Sequence, residues 1–325
     1  MPDRVSALER AVREITEIQK AHRLVLDQAN RPDTALWLAQ PPLLASGGPG
    51  VGVFAEGALC RQQSFEQPYF SYWAMRLNEG LRYHRKLWEF VFIAQALWER
   101  GLCSPGRRGL GFGVGRERLT ALFASMGVAV TATDLASDGR VEAGWEATRQ
   151  HAGGKDGLRY PDVCPDDVFD RNVEYRPCDM NAVAADLVGY DFCWSACALE
   201  HLGSIEKGLA FIERSLDCLV PGGWAVHTTE FNVSSNDATV DHEGTVLFRR
   251  RDIEALTERL QRQGHTVLKI DWSSGDQPLD QYLDLPPYRD DPHLKVSIAG
   301  YATTSIGLIV RKGMRPALDA PTVAS

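Results

Sequence analysis

Residues 106–135 read GRRGLGFGVGRERLTALFASMGVAVTATDL, and the rest of the predicted fold is arranged around this stretch. A short apolar run enters a turn with glycine at positions 109, 111, 113 and 115, and a helical pattern follows it. Gly127 ends that helix, and a β-branched run over 128–133 leads to Asp134. The order strand, glycine loop, helix, strand and carboxylate is typical of a nucleotide-binding βαβ unit.

The residue types of this unit suit a nucleotide-like ligand. Glycines let the backbone turn sharply and lie against a ligand, and the following helix directs its free N–H groups to the same place. A carboxylate at the end of the second strand accepts hydrogen bonds from ribose hydroxyls. The loop argues against a nicotinamide cofactor, because the last glycine of G-x-G-x-x-G is Arg116 when counted from Gly111 and Val114 when counted from Gly109.

The loop resembles the first motif of class I S-adenosylmethionine (SAM) methyltransferases, which is an acidic residue followed by x-G-x-G-x-G. Gly111, Gly113 and Gly115 match this motif, but the acidic position is Gly109. A second part of the resemblance is the apolar run over 190–195 that leads into the tripeptide LEH. A helical pattern and the sequence LVPGG at 219–223 follow it. The resemblance implies SAM as the cofactor, and it leaves open what holds the cofactor's methionine end.

The implied fold is α/β, with a doubly wound, mostly parallel, seven-stranded Rossmann-like sheet and a helical N-terminal extension. We expect three parts: a helical and aromatic region over 1–104 that caps the acceptor pocket, a methyltransferase domain over 105–313, and a flexible tail over 314–325. Helical spacing predicts helices over 6–29, 73–101, 141–151, 205–219 and 249–264. Further strands are expected over 173–176, 190–195, 224–228, 266–271 and 304–311.

The resemblance places the cofactor at the carboxyl ends of the first strands. The residues expected to contact it are Gly111, Phe112, Gly113, Gly115, Asp134, Leu135, Asp179, Met180 and Ser195. Asp179 would accept a hydrogen bond from the adenine amine, with Met180 as an apolar wall. The alternative for Asp179 is a turn residue that caps the next short helix.

Three side chains are candidate general bases for a hydroxyl acceptor: His201, Glu230 and His227. His201 instead holds the start of a helix if its role is structural, and His227 lies inside a strand whose facing side the sequence does not define. In the helix that precedes the first strand, Tyr83, Trp88 and Glu89 either contact ligands or fill the joint to the sheet. We expect a small polar acceptor, with a sugar hydroxyl of a glycan or natural product as the preferred example.

The amino-acid composition limits the classes of binding partner and the cellular location that we expect. A formal charge of -8 and a pI near 5.5 give no general attraction to nucleic acid or anionic membranes. The seven cysteines form no C-x-x-C pair, so we expect reduced, mostly buried thiols and no metal site. No apolar run is long enough for a membrane span and no signal-peptide pattern is present, which makes the cytoplasm the expected location.

Two rival functions stay open at this level, together with the oligomeric state. One is a nicotinamide-dependent oxidoreductase on a similar fold. The other is a non-catalytic SAM-binding or assembly subunit, which the missing acidic residue at position 109 makes conceivable. The predicted N-terminal helix packs either on its own domain or on a second copy in a homodimer.

Overall fold

The structure is a computed structural model. It describes residues 40–44, 47–135 and 152–314, together with Val12, Ile15, Thr16 and Gln19. Those four isolated positions are helical. The rest of the helix expected over 6–29, and the helix expected over 141–151, lie outside the described residues.

Five parallel strands form the centre of the sheet: β2 (Arg108–Gly111), β3 (Ala129–Asp134), β4 (Val173–Pro177), β5 (Tyr190–Ala196) and β6 (Leu219–Asn232). Their order across the sheet is β4–β3–β2–β5–β6. The chain runs from β2 outward to β3 and β4 and then returns to β5 on the other side of β2. The topological switch point therefore lies between β2 and β5, where open α/β sheets bind their ligands.

The other edge of the sheet is mixed. It is built from β1 (Gly57–Leu59), β9 (Thr266–Val267), β10 (Ile270–Asp271), β11 (Leu283–Asp284), β12 (Lys295–Ile298) and β13 (Tyr301–Arg311). β13 runs antiparallel to β6, and β1 lies between β13 and β10. The strand expected over 266–271 is thus split, because β9 pairs with β13 whereas β10 pairs with β1. A separate hairpin consists of β7 (Asp241–His242) and β8 (Thr245–Val246).

Helices cover both faces of this sheet. On one face lie α1 (Gln62–Phe65), α2 (Pro68–Arg76), α3 (Arg85–Glu99), α4 (Leu119–Ser125) and α5 (Asp166–Asn172). On the other lie α6 (Ile205–Asp217) and α7 (Arg250–Arg262), while the short α8 (Pro278–Gln281) lies near the mixed edge. Successive strand residues point into two hydrophobic cores, one on each face of the sheet. Trp194 packs in the core beneath α1 to α5, and Cys193 packs in the core beneath α6 and α7. The doubly wound, mostly parallel class is confirmed, although the described residues form a sheet of eleven strands rather than seven.

The prediction of a single helix over 73–101 is wrong. Two helices, α2 and α3, are separated by a turn in which Asn78 has a left-handed φ of 50° and Gly80 follows two residues later. The apolar spacing continues through both helices and hides this break. His84 begins α3 by accepting a hydrogen bond from the Lys86 backbone N–H at 3.1 Å. The end of α3 is as expected, with Gly101 at a φ of 67°.

All seven cysteines fall within the described residues. None forms a disulfide; six are buried and Cys197 is partly exposed. The expectation of mostly buried free thiols is confirmed. Separately, no helix in the described ranges combines the length and the apolar composition that crossing a bilayer requires.

Replacing Gly307 by alanine should destabilise the sheet. A Cβ at this buried position on β13 would lie 2.3 Å from the ring of Phe92, on α3. Overpacking of this kind costs about 1–3 kcal/mol, to be measured as the free energy of unfolding in urea. Gly80→Ala is the matched control, because nothing lies within 4 Å of a Cβ there. Equal stability of the two variants would contradict the predicted contact.

Candidate functional site

A cavity of about 630 Å³ opens at the carboxyl ends of the parallel strands, beside the switch point. Its walls come from the loop after β2, the end of β3, the segments after β4 and β5, the end of β6 and the start of α3. A cavity of this volume and position is the usual place for a small-molecule ligand in an open α/β sheet.

The glycine loop forms one wall. Gly113 has a φ of 57°, and a Cβ there would lie 2.9 Å from the Cβ of Ala198 and 3.1 Å from the sulfur of Met180. Only glycine fits both the backbone conformation and the space. The loop is tied to its neighbour, because the Val114 N–H donates to the Thr133 carbonyl at 3.1 Å.

Asp134 ends β3 with its carboxylate in the cavity wall. One carboxylate oxygen accepts from the Leu135 N–H at 2.9 Å and the other from the Ala152 N–H at 3.2 Å. A carboxylate has about four acceptor sites, which suits a group that binds several donors at once. Leu135, next in the chain, lines the same cavity.

The segment after β4 contributes four consecutive residues, Cys178, Asp179, Met180 and Asn181. Asp179 accepts from the Asn181 N–H at 2.7 Å and so caps the short 3₁₀ turn Met180–Ala182, as the capping alternative predicts. It lines the cavity nevertheless. The Asn181 side chain also lines the cavity, and its Oδ1 is buried and accepts no hydrogen bond from any residue that the structure describes.

At the other end of the cavity, Glu89 of α3 is fully occupied. Its carboxylate accepts from the Cys197 thiol at 2.9 Å, the Ser305 hydroxyl at 2.5 Å and the Lys86 ammonium at 3.1 Å. Burial opposes ionisation, but Lys86, Arg85 and these hydrogen bonds hold the pKa of Glu89 below its ordinary value. Glu89 is therefore a buried carboxylate with its charge matched.

Glu230, at the end of β6, is paired as well. Its carboxylate forms a close ion pair with Arg85 and accepts from the Thr303 hydroxyl at 3.0 Å. The side chains of Arg85 and Glu230 are only 16% and 7% exposed, so the pair is shielded from water. Both residues line the cavity.

Two further buried carboxyl groups line the cavity without such a pair. Glu117 accepts from the Trp194 indole N–H at 2.7 Å, and Glu200 accepts from the Thr229 hydroxyl at 2.8 Å. Neither forms an ion pair with a lysine or arginine in the described part of the chain. Burial raises the pKa of Glu117 to about 8, and burial also raises the pKa of Glu200.

The structure gathers most of the predicted site residues at this cavity. Those that line it are Gly113, Gly115, Asp134, Leu135, Asp179, Met180, His201 and Glu230. Gly111, Phe112, Ser195 and His227 do not line it. A Cβ at Gly111 would meet the Trp194 ring at 2.5 Å, and Phe112 packs into the core against Phe211.

The His227 side chain faces α6, on the side of the sheet opposite α3. Its ring nitrogens are 2.8 Å from the hydroxyl of Ser195 and 3.2 Å from that of Ser215, on α6. Complete burial lowers the pKa of His227 to about 3. A neutral imidazole enclosed by two hydroxyls and a helix has no access to the cavity, so we do not carry His227 or Ser195 forward as site residues.

Sequence reasoning missed several charged residues of the site. Arg85 and Lys86 gave no signal, because they belong to the start of an aromatic helix. Glu117 lies in the stretch that defines the fold, two residues after its last loop glycine, and Glu200 lies in the LEH tripeptide. A search for acidic residues beside those two motifs would have found both.

The donor atoms of Cys197, Glu200 and Glu230 lie within 4.8 Å of one another, which invites a test of the site as a metal centre. A metal-binding cysteine must be a thiolate. Burial and the nearby carboxylates Glu200 and Glu89 instead raise the pKa of the Cys197 thiol. Arg85 also pairs with Glu230, and the Cys197 thiol donates to Glu89, so two of the three donor groups already have partners within the protein.

No protein-family model and no curated protein matches the chain by sequence. Several solved structures are similar. A putative sarcosine dimethylglycine methyltransferase from Galdieria sulphuraria is 12% identical, with 70% of this chain and 85% of that chain covered and a TM-score of 0.44. Magnesium protoporphyrin IX methyltransferase (ChlM) from Synechocystis PCC 6803 with bound SAH, the demethylated product of SAM, is 12% identical, with 78% and 98% covered and a TM-score of 0.43.

A third similar structure is the N-terminal domain of EvdMO1 in the presence of SAH and D-fucose. It is 14% identical, with 69% of this chain and 83% of that chain covered and a TM-score of 0.42. At such identities and TM-scores these likenesses do not by themselves assign an activity to the chain.

Removing Arg85 should cost about 3 kcal/mol of stability, because Arg85→Met leaves the Glu230 carboxylate buried and uncompensated. Arg171→Met is the matched control, since the Arg171–Asp167 pair is 65% and 71% exposed and its loss should cost less than about 0.5 kcal/mol. Chemical denaturation of both variants provides the measurement. The double variant Arg85→Met, Glu230→Gln should recover part of the loss; additive losses would argue against a direct pair.

Proposed function

We propose that the chain is an enzyme that transfers a methyl group from SAM to a small polar acceptor. The observation that carries the proposal is the convergence of the Gly113 backbone, the Asp134 carboxylate and the segment 179–181 on one cavity at the switch point. In such a cavity, a glycine loop without side chains and a carboxylate at the next strand end suit an adenosine-bearing ligand.

The residues present fit the cofactor. Asp134 would accept from the ribose hydroxyls, and the Gly113 loop leaves room because no Cβ intrudes. The Asp179 carboxylate offers an acceptor for the adenine amine, with the Met180 side chain as an apolar contact. When bound, SAM supplies a methyl group on a sulfonium, and the sulfur leaves as a neutral thioether. The protein must therefore align the acceptor with that methyl group, exclude water and accept the proton that a hydroxyl acceptor loses.

The proton of the acceptor hydroxyl would be accepted by a carboxyl group at the end of the cavity opposite the glycine loop. The Glu230 carboxylate is already engaged, since it pairs with Arg85 and accepts from the Thr303 hydroxyl. Glu200 has no lysine or arginine partner in the described part of the chain, and burial raises the pKa of its carboxyl group, which suits a proton acceptor. Among the expected candidates, His201 remains at the exposed rim, with its Nδ1 3.2 Å from the Gly244 carbonyl. We therefore add Glu200 to Glu230 and His201, and rank it first.

The acceptor must be small, because it shares about 630 Å³ with the cofactor. Five polar groups surround the acceptor end together with the ring of Phe90: Lys86, Glu89, Cys197, Glu200 and Glu230. A hydroxyl of a sugar, in a glycan or natural product, suits donors and acceptors of this kind. A solvent-shielded carboxyl group would then receive the hydroxyl proton.

Calorimetry of the full chain should show binding of SAM and SAH and none of NAD. Asp134→Asn should lower the affinity for SAH by about tenfold, because a carboxylate accepts hydrogen bonds more strongly than an amide. Asp167→Asn, at a side chain 71% exposed on α5, is the control and should bind SAH like the unchanged protein. Binding of NAD without SAM would establish the oxidoreductase alternative instead.

Turnover is tested by release of SAH from SAM in the presence of monosaccharides, glycosides, phenols and amines. With an active acceptor, Glu200→Gln should lower kcat by about 10²- to 10⁴-fold while SAH affinity is unchanged. Activity of the unchanged protein should rise with pH through the elevated pKa of Glu200, because only the carboxylate accepts a proton. Glu258→Gln, at a side chain 72% exposed on α7, is the control. SAM binding without turnover on any acceptor would favour a non-catalytic subunit.

A further inference from the structure

We propose that Glu117 binds the α-ammonium group of the cofactor's methionine part, in place of an acidic residue that the glycine loop lacks. The inference rests on the proposed function, since it assigns one residue to the cofactor named there. Its evidence is the space around position 109, the placement of Glu117 and the charges of the cavity.

Position 109 cannot carry an acidic side chain in this fold. A Cβ on Gly109 would lie 2.5 Å from the ring of Phe192, on the neighbouring strand β5. Phe192 is fully buried among the helices of that face, so the ring has no room to move. Gly109 also does not line the cavity, so a carboxylate beside the glycine loop must come from another position in the chain.

Glu117 supplies a carboxyl group beside the same loop. It follows Gly115 by two residues, lines the cavity and is 8% exposed. The indole N–H of Trp194 donates to its Oε1 at 2.7 Å and fixes the side chain. Trp194 also occupies the space beside Gly111, so the carboxyl group lies on the same face as the first glycines of the loop.

The groups that face Glu117 do not supply its counter-charge. They are Trp194 on β5, Lys86 and Glu89 on α3, and Asp134 on β3. Lys86 pairs with Glu89 at 3.1 Å, and both Glu89 and Asp134 are negative. With burial as the largest effect, the pKa of Glu117 rises to about 8, so its carboxyl group is mostly neutral at pH 7. A ligand ammonium would stabilise the carboxylate and lower that pKa.

The remaining carboxyl groups of the cavity are less suited. Glu89 and Glu230 already have basic partners. Glu200 has none, but its ligand atoms lie within 4.8 Å of those of Cys197 and Glu230, at the acceptor end. Glu117 is the buried carboxyl group adjacent to the glycine loop.

The test uses two ligands that differ in the amino-acid part. SAH carries the α-ammonium group, whereas 5′-deoxy-5′-methylthioadenosine keeps the adenosine and lacks it. By calorimetry at pH 7, Glu117→Gln should lower the affinity for SAH by at least about tenfold. The affinity for methylthioadenosine should stay within about twofold of that of the unchanged protein. Gln keeps an acceptor for the Trp194 indole, so it isolates the charge.

Proton release provides a second readout. Titrations in buffers of different ionisation enthalpy should show that the unchanged protein releases protons when SAH binds at pH 7. The sign follows from the neutral carboxyl group of the free protein losing its proton to form the ion pair. Glu117→Gln should release none. Glu117→Asp retains the charge, so its ratio of SAH to methylthioadenosine affinity should exceed that of Glu117→Gln.

The outcomes separate the two proposals. Equal weakening of both ligands in Glu117→Gln, unchanged affinity for both, or proton release that persists in this variant would overturn the role of Glu117. Because the affinity ratio is measured within one preparation, partial unfolding of a variant does not change it. Failure of the unchanged protein to bind either ligand would overturn the proposed function itself.

Discussion

The carboxylate of Glu89 joins three parts of the chain that are far apart in sequence. It accepts hydrogen bonds from Lys86 on its own helix, from Cys197 after β5 and from Ser305 on β13. A buried carboxylate is tolerated only when donors surround it, so each of these contacts depends on the others. The start of α3 is thereby fixed over the carboxyl ends of the sheet, and the cavity has a wall on that side.

The same wall explains how the cavity holds several acidic side chains without destabilising the fold. Arg85 and Lys86 neutralise Glu230 and Glu89, and they are adjacent residues at the beginning of one helix. Cations in the first turn of a helix are unfavourable with respect to its dipole. Their position is therefore dictated by the carboxylates opposite them, and the N-terminal region contributes charge to the site as well as aromatic packing.

Features encoded locally were predictable. The loop glycines, the stop at Gly127 and the carboxylate of Asp134 follow from backbone geometry and β-branched runs, which neighbouring residues determine. The facing direction of strand residues was not predictable to the same degree. Ser195 and His227 are directly paired across β5 and β6, and both turn away from the cavity. Nothing in the sequence of either strand defines that register or distinguishes the two helix layers, since helices cover both faces.

The charged residues of the site were harder to predict for another reason. Glu117 and Glu200 gain their character from burial, and burial of a polar residue depends on side chains such as Trp194 that arrive from other elements. The break between α2 and α3 was missed because apolar spacing on both sides of Asn78 has the same period. Distant contacts, rather than local patterns, decided these features.

The position of β1 has a consequence for assembly during translation. This strand precedes the parallel centre of the sheet in the chain, yet its partners are β10 and β13, which are synthesised after that centre. The parallel centre of the sheet can therefore form first, whereas the mixed edge closes only when β13 has been synthesised. Until then, β1 and the open side of β6 have unpaired backbone groups, which are prone to pairing with other chains.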